Sequence, residues 1–281
     1  MFPGVYGFTW EPGNLIFLGI FYSVVSVIFG TLAVAVVRSL RDFNAQKDDS
    51  IRWKLEFEDL PERNRTCRHE LTGEFKHRTC ERGFDCRQCT DHAKLGASRT
   101  SRLHISFEGD DEEGRILGLD MPLDRMYHRG HTWVKPGPDG TMTVGLDDFG
   151  SRLIGEPDEV LLPAPGTPLH VNGTAWHVRK NGSDVRILSP LEGEVVQTGG
   201  PKVGWYLKLK PPGAKADTRH LLRGPEIRPW LAREMERLEF SLAGDGVGRS
   251  LADGGALVND PSKEYPGVDW DAVWGEMFLE P

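Results

Sequence analysis

The chain has 281 residues, and its 33 Gly and 19 Pro point to many turns, in one large domain or two small ones. A formal net charge of −8 argues against a general nucleic-acid binder and leaves room only for local basic patches.

The first element is the run "LIFLGIFYSVVSVIFGTLAVAVV", Leu15 to Val37, which holds no charge. At 1.5 Å rise per residue its 23 residues reach about 34 Å, enough to cross a hydrocarbon core of about 30 Å. A cleavable signal peptide would open with Lys or Arg and carry a shorter core. Here "MFPGVYGFTWEPGN" has neither cation, so a retained anchor is expected. Arg38, Arg41, Lys47 and Arg52 follow the run while Glu11 precedes it. The positive-inside tendency then puts the N-terminus outside and the bulk of the chain in the cytoplasm. Tyr6 and Trp10 suit an interfacial belt.

Next come all four cysteines, Cys67, Cys80, Cys86 and Cys89, spaced C-x12-C-x5-C-x2-C. In a cytoplasmic segment this favours metal over disulfides. Four thiolates suffice for tetrahedral zinc or for an iron–sulfur cluster, with His69, His77 and His92 as spare ligands. Zinc is placed first, as a structural staple, because four thiolates leave no open position for water. Only the Cys86–Cys89 half looks like a standard zinc knuckle, and four packed, reduced thiols are the competing reading.

"FEGDDEEG", Phe107 to Gly114, reads as a solvated acidic linker. From Met126 to about Pro211 short β-runs alternate with Gly and Pro, as in a compact sandwich or flattened barrel. Ile227, Trp230, Leu231, Met235, Leu238 and Leu242 then fall on one helical stripe, which Gly244 could stop. Beyond a Gly-rich stretch, Trp270, Val273, Trp274, Met277 and Phe278 recur at helical spacing. Trp270, Trp274 and Phe278 are expected to form a partner-docking tail.

Several stretches of the β-region carry a family resemblance: "HTWV" (His131–Val134), "TVGLDDFG" (Thr143–Gly150), Ile154–Gly155, Leu162–Pro163, "SPLEGEVV" (Ser189–Val196) and Gly204–Trp205. In this order and spacing they resemble the glycine cleavage system H-protein. The resemblance implies a lipoyl-type fold whose hairpin tip carries lipoate on a lysine. Counted back from "SP", that lysine falls on Gly182, and the nearest amine is Lys180. Asn181-Gly182 is a strong type I′ turn signal. It sets a register pairing Lys180 with Ser183, Arg179 with Asp184, Val178 with Val185 and Trp176 with Ile187. Lys180 is then expected to be exposed near the tip, beside a charged Arg179 unlike the family's acidic and small residues. The segment after "GEVV" is also shortened, to "GGPKVGW". These departures argue against lipoylation.

Other chemistry is weakly signalled. His128 and His131 stand i,i+3 without carboxylates, and Asp147–Asp148 reads as a helix cap. "GDGVG" (Gly244–Gly248) is too short for a phosphate loop, and no P-loop or dinucleotide fingerprint occurs.

The expected fold class is a single N-terminal transmembrane helix plus a cytoplasmic α+β part, an H-protein-like (barrel-sandwich hybrid) β-module with a C-terminal helix. The expected segments are a stub (1–14), the span (15–38), a juxtamembrane stretch (39–51), the Cys-rich segment (52–95) and the acidic linker (96–125). The β-module (126–212), the helix (213–244) and the linker with its docking tail (245–281) complete the chain. The function expected is a non-catalytic, single-pass accessory subunit of a bacterial inner-membrane complex. Its partners would be integral membrane subunits and the lipid bilayer, with a respiratory or photosynthetic complex chosen by analogy. The alternatives are a membrane-tethered lipoyl carrier modified at Lys180, and a metal- or redox-sensing membrane protein.

Overall fold

The computed structural model describes residues 11–44, 60, 62–99, 114–213, 215–243, 252–253 and 256–279. It divides into two compact units, Met1–Lys54 and Leu55–Pro281.

In the first unit, α1 runs from Pro12 to Asn44. Its 23 residues from Pro12 to Val34, with a mean hydropathy of 2.3, are long and apolar enough to cross a membrane. Its large side chains, such as Phe17 and Val27, are exposed. A helix apolar all round belongs to a protein core or to a membrane span, and α1 is a candidate span. Residues 1–10 of the expected stub, Tyr6 and Trp10 among them, lie outside the described residues, as do Lys47, Arg52 and the side chains of Arg38 and Arg41, while Pro12–Asn14 belong to α1.

In the second unit the Cys-rich segment is built from short pieces. They are α2 (Arg68–Leu71), a 3-10 turn at Cys86–Gln88 and α3 (Thr90–Arg99), tied by a bridge between Thr66 and Thr79. The acidic stretch up to residue 113 lies outside the described residues. Residues 114–125, expected as the end of a linker, are instead part of the folded unit. Strands β1 (Arg115–Ile116) and β2 (Leu119–Asp120) form a hairpin that puts Ile116, Leu119 and Met121 into the core.

The β-module contains β3 (Met126–Tyr127), β4 (Thr132–Pro136), β5 (Met142–Leu146), α4 (Asp148–Ile154), β6 (Glu159–Leu161) and β7 (Pro168–Leu169). It continues with β8 (Thr174–Lys180), β9 (Ser183–Leu188), β10 (Gly193–Gly200) and β11 (Trp205–Lys210). A six-stranded sheet has the order β3-β4-β5-β11-β10-β7, and a three-stranded sheet the order β6-β8-β9. Alternation turns Val134, Val144, Leu207 and Leu209 of the large sheet inward, toward Trp176, Val178, Val185 and Ile187 of the small one. The Trp176 ring stacks on Tyr206 at 4.8 Å and 7° between planes, joining the two sheets. The shortened "GGPKVGW" segment is a tight 3-10 connection, Pro201–Val203, closed by Gly204.

Helix α5 (Ile227–Ala243) buries Ile227, Trp230, Leu231, Leu238 and Leu242 as its stripe predicts, with Met235 half-buried; Gly244 lies outside the described residues. A small hairpin, β12 (Ala252–Asp253) with β13 (Ala256–Leu257), leads to α6 (Pro261–Glu264) and α7 (Trp270–Met277). Helix α7 does not form a free docking tail. Trp270, Trp274 and Phe278 are 6%, 1% and 0% exposed. The Trp274 Nε1–H donates to Leu153 O in α4 at 3.2 Å, and Arg237 of α5 donates to Glu276 O at 2.7 Å. The apolar stripe has an acceptor in its own chain, the α4–α5 surface, which sequence spacing cannot reveal.

Candidate functional site

The hairpin β8–β9 has the register the Asn-Gly turn predicts: Lys180 opposite Ser183, Arg179 opposite Asp184, Val178 opposite Val185 and Trp176 opposite Ile187. Asn181 at φ 52 and Gly182 at φ 85 supply the two left-handed positions of a type I′ turn. Asn181 tolerates that conformation and Gly182 is suited to it.

Lys180 is not exposed near the tip; it is only 2% exposed. Side chains alternate along a strand, so Lys180 continues the inward row of Trp176 and Val178, while His177 and Arg179 face outward. Its Nζ donates to Glu156 O at 2.6 Å and to Asp260 Oδ2 at 2.8 Å. Asp260 comes from the segment just before α6 and also meets Lys263 at 2.9 Å and the Ser262 hydroxyl at 2.8 Å. Burial works against the charged Asp260 carboxylate. The Lys180, Lys263 and Ser262 donors outweigh it and hold the group below the usual carboxylate range. Asn181 completes the contact, its Nδ2 donating to Ser262 Oγ at 3.2 Å and its backbone N–H to Asp158 Oδ2 at 2.7 Å. Segment 260–263 therefore covers the inner side of the tip. Arg179 and Asp184, opposite in register, take other partners: Arg179 pairs with Glu159 at 2.7 Å and Asp184 with His177 at 3.1 Å.

A second buried polar cluster, which sequence reading missed, lies under β4. His131, at φ 60 and 0% exposed, is held between Asp147 (3.1 Å) and Glu234 (3.8 Å). Its ring stacks on Phe149 at 4.4 Å and Trp230 at 5.3 Å. Burial opposes a charged imidazole, but the two carboxylates outweigh it and raise His131 to about 9. Asp147 also caps α4, accepting from Gly150 N at 2.7 Å, as expected of the Asp147–Asp148 pair. His128 does not pair with His131 on a metal. It is bonded to Asn172 at 2.8 Å, and burial, with the nearby His220, lowers it to about 3.

The four cysteines are all free thiols and line one cavity of about 350 Å3, with Arg68, Arg129 and His220 among its other walls. Burial pushes the Cys86 thiol up to about 11 and Cys67 upward as well. Among the described residues, no group of three or more His, Cys, Asp or Glu is placed to hold a metal ion. The expected single-zinc site therefore has no support among the described residues, although all four thiols line one cavity. Of the spare histidines, His69 is bonded to Glu74 at 2.9 Å and to His92 at 3.1 Å.

Two sheets closed over a Trp176–Tyr206 stack, with a tight hairpin on the smaller one, define a carrier-type β-module. Residues 125–200 match the glycine cleavage H-protein family. The glycine cleavage system H protein 2 of Pseudomonas syringae pv. tomato is 30% identical over 115 residues, which cover 37% of this chain and 90% of that protein. The H protein of Chlorobium phaeobacteroides is 32% identical over 111 residues, covering 35% and 87%. On these relatives, the chain belongs to the glycine cleavage H-protein family. A crystal structure of an H protein from Mycobacterium marinum covers 38% of this chain and 94% of that one, at 23% identity and a TM-score of 0.33.

The tip does not fit the lipoate that the family resemblance implies. Gly182, the position that counting back from Ser189-Pro190 by the resemblance assigns to the lysine, has no amine. The neighbouring amine, on Lys180, is turned inward and committed to Asp260 and Glu156.

Proposed function

We propose that this chain is a membrane-anchored, non-catalytic accessory subunit whose H-protein module has given up carrier chemistry for a structural role. The observation that carries the reading is the burial of Lys180 under Asp260, together with Gly182 at the carrier position. The outward-facing apolar α1 supports the anchor. The basic residues that follow it support a single-pass topology in a bacterial inner membrane, N-terminus outside. The partners are integral membrane subunits of a larger assembly, for which an energy-converting complex is the working candidate by analogy alone.

Intact-mass spectrometry tests the carrier question. The full chain is produced in cells supplied with lipoate and lipoyl ligase, beside a genuine H protein as positive control. The expected result is an unmodified chain and a modified control; a lipoyl adduct on Lys180 overturns the reading. Purification from native membranes in mild detergent tests the second half. Co-purifying integral membrane subunits are expected, and a solitary monomer, or a chain in the soluble fraction, rejects the accessory role.

A further inference from the structure

The cysteine-lined cavity is the part of the molecule that the β-module leaves unexplained. Its volume, about 350 Å3, is far above the roughly 30 Å3 of one water. It falls within the range of about 300–1,000 Å3 common for small-ligand pockets. Burial raises the Cys67 and Cys86 thiols, so both stay protonated near neutral pH and bring no negative charge to the wall. The cations of the wall decide its character.

Two of those cations are already compensated: Arg68 is held by Glu226, and Arg78 pairs with Asp91 at 2.5 Å. The wall carboxylate of Asp85 is taken by Arg87 at 2.6 Å. Arg129 is different. It is only 5% exposed, donates to Thr66 O and lies over the Phe84 ring at 3.8 Å, yet its Nε–H meets no acceptor. Among the described residues no carboxylate forms an ion pair with it. Glu234 acts on it only through space and is already engaged by Arg237 and His131. Burial accordingly pulls Arg129 down to about 10, as for a cation short of counter-charge. A second orphan stands in the same wall. His220 is 4% exposed, burial holds it neutral, and its Nε2–H donates to Pro190 O at 2.7 Å. Its Nδ1 is then an acceptor, and it meets no donor. The two orphans are neighbours. Tyr127 and Leu222 exchange backbone hydrogen bonds, and the His220 ring lies 6.3 Å from that of His128, next in sequence to Arg129. Buried polar atoms seldom lack partners; here one lacks an anion and the other a donor, in the wall of one cavity.

We infer that this cavity binds a small oxyanion that carries a hydroxyl, a hydroxycarboxylate or a protonated phosphate, with Arg129 donating to the anionic oxygens and His220 Nδ1 accepting from the hydroxyl. A guanidinium suits either head group, because its fixed fork of N–H donors matches carboxylate and phosphate oxygens alike. Phe84, stacked on Arg129, holds the plane of that fork. No covalent bond forms or breaks; the ligand brings the counter-charge that the buried guanidinium lacks. This assignment is independent of the accessory-subunit reading, because it requires neither a partner nor a vacant lipoyl position.

The test is thermal unfolding of the full chain in detergent with inorganic phosphate, glycolate or acetate, each against sodium chloride at matched ionic strength. Phosphate or glycolate should raise the midpoint saturably, as a ligand of the native state does, and the stronger of the two identifies the head group. Acetate, with the charge of glycolate but no hydroxyl, should raise it less. Arg129→Gln removes the charged donor and should weaken the apparent affinity about tenfold or more. A midpoint that follows ionic strength alone overturns the assignment. So does a folded Arg129→Gln protein that responds like wild type, or acetate that acts as strongly as glycolate. Since Arg129→Gln can also misfold, a second measurement uses the unaltered chain: N-ethylmaleimide alkylation of the wall thiols Cys80 and Cys86, mapped by peptide mass. The stabilising anion should slow both several-fold, and unchanged rates place it elsewhere and reject the site.

Discussion

Lys180 and Asp260, eighty positions apart in sequence, meet at 2.8 Å with almost no solvent access to either side chain. Removing one partner of such a pair strands the other charge, which typically costs 3–5 kcal/mol. Because Lys263 still reaches Asp260, Lys180→Met is expected at the lower end, about 3 kcal/mol. Urea unfolding of the full chain measures it. Lys180→Met combined with Asp260→Asn should recover more than half of the loss. A double variant as unstable as the sum of its parts would deny the coupling.

Gly155 is fixed by the same aspartate. Its φ of +69 disfavours a side chain, and a Cβ there would lie 2.3 Å from Asp260 Cγ. Gly155→Ala should therefore cost about 3 kcal/mol or more, through strain and displacement of Asp260 together. Thermal unfolding checks this, and a loss below about 1 kcal/mol would show that Asp260 can move aside freely.

The aromatic segment makes opposite predictions as core and as docking surface. As core, Trp274→Ala or Phe278→Ala should each destabilise by about 3–5 kcal/mol. A docking side chain would leave the isolated chain's stability unchanged and weaken only an assembly. Unfolding of the purified chain separates the two, and near-wild-type stability would contradict the burial of these rings.

Two histidines give stability a maximum near neutral pH. His131 has its pKa raised from 6.5 to about 9 by Asp147 and Glu234. Its contribution, about 3 kcal/mol, is complete below pH 6.5 and is lost as pH rises through about 9. His128 is lowered to about 3, so it stays neutral in the fold while the unfolded chain takes up a proton. That costs nothing above pH 6.5 and grows as pH falls from 6.5 toward 3, adding to the loss from carboxylates held low, such as Glu234 and Asp260. Unfolding midpoints across pH 4 to 10 test both limbs. His131→Gln should flatten the alkaline limb and also soften the acid one, because His131 helps hold Glu234 low.

What the sequence made legible was local. Asn181-Gly182 fixes the hairpin, and hydrophobic pairing fixes its register, because turn type and period-two alternation act over a few residues. The inward face of Lys180 was legible by the same alternation, since Trp176 and Val178 share its parity. Its burial was not, because the counter-ion comes from residue 260 and no local pattern announces it. The same limit applies to α7, where spacing yields the helix but not the surface it covers. Glu234 lies close to an apolar stripe, and only the fold shows that it faces His131. The four cysteines were plain as a set, whereas the cavity between them depends on how unrelated turns pack.

The cover over the hairpin tip has a kinetic meaning as well. Asp260 and Ser262 act as a ligand joined covalently to its own receptor, so their binding to the tip is intramolecular and does not depend on protein concentration. Any modifying enzyme seeking the Lys180 amine must compete with that tethered ligand, not with water. A free peptide copying the 260–264 sequence, added at ordinary concentrations, would scarcely displace it.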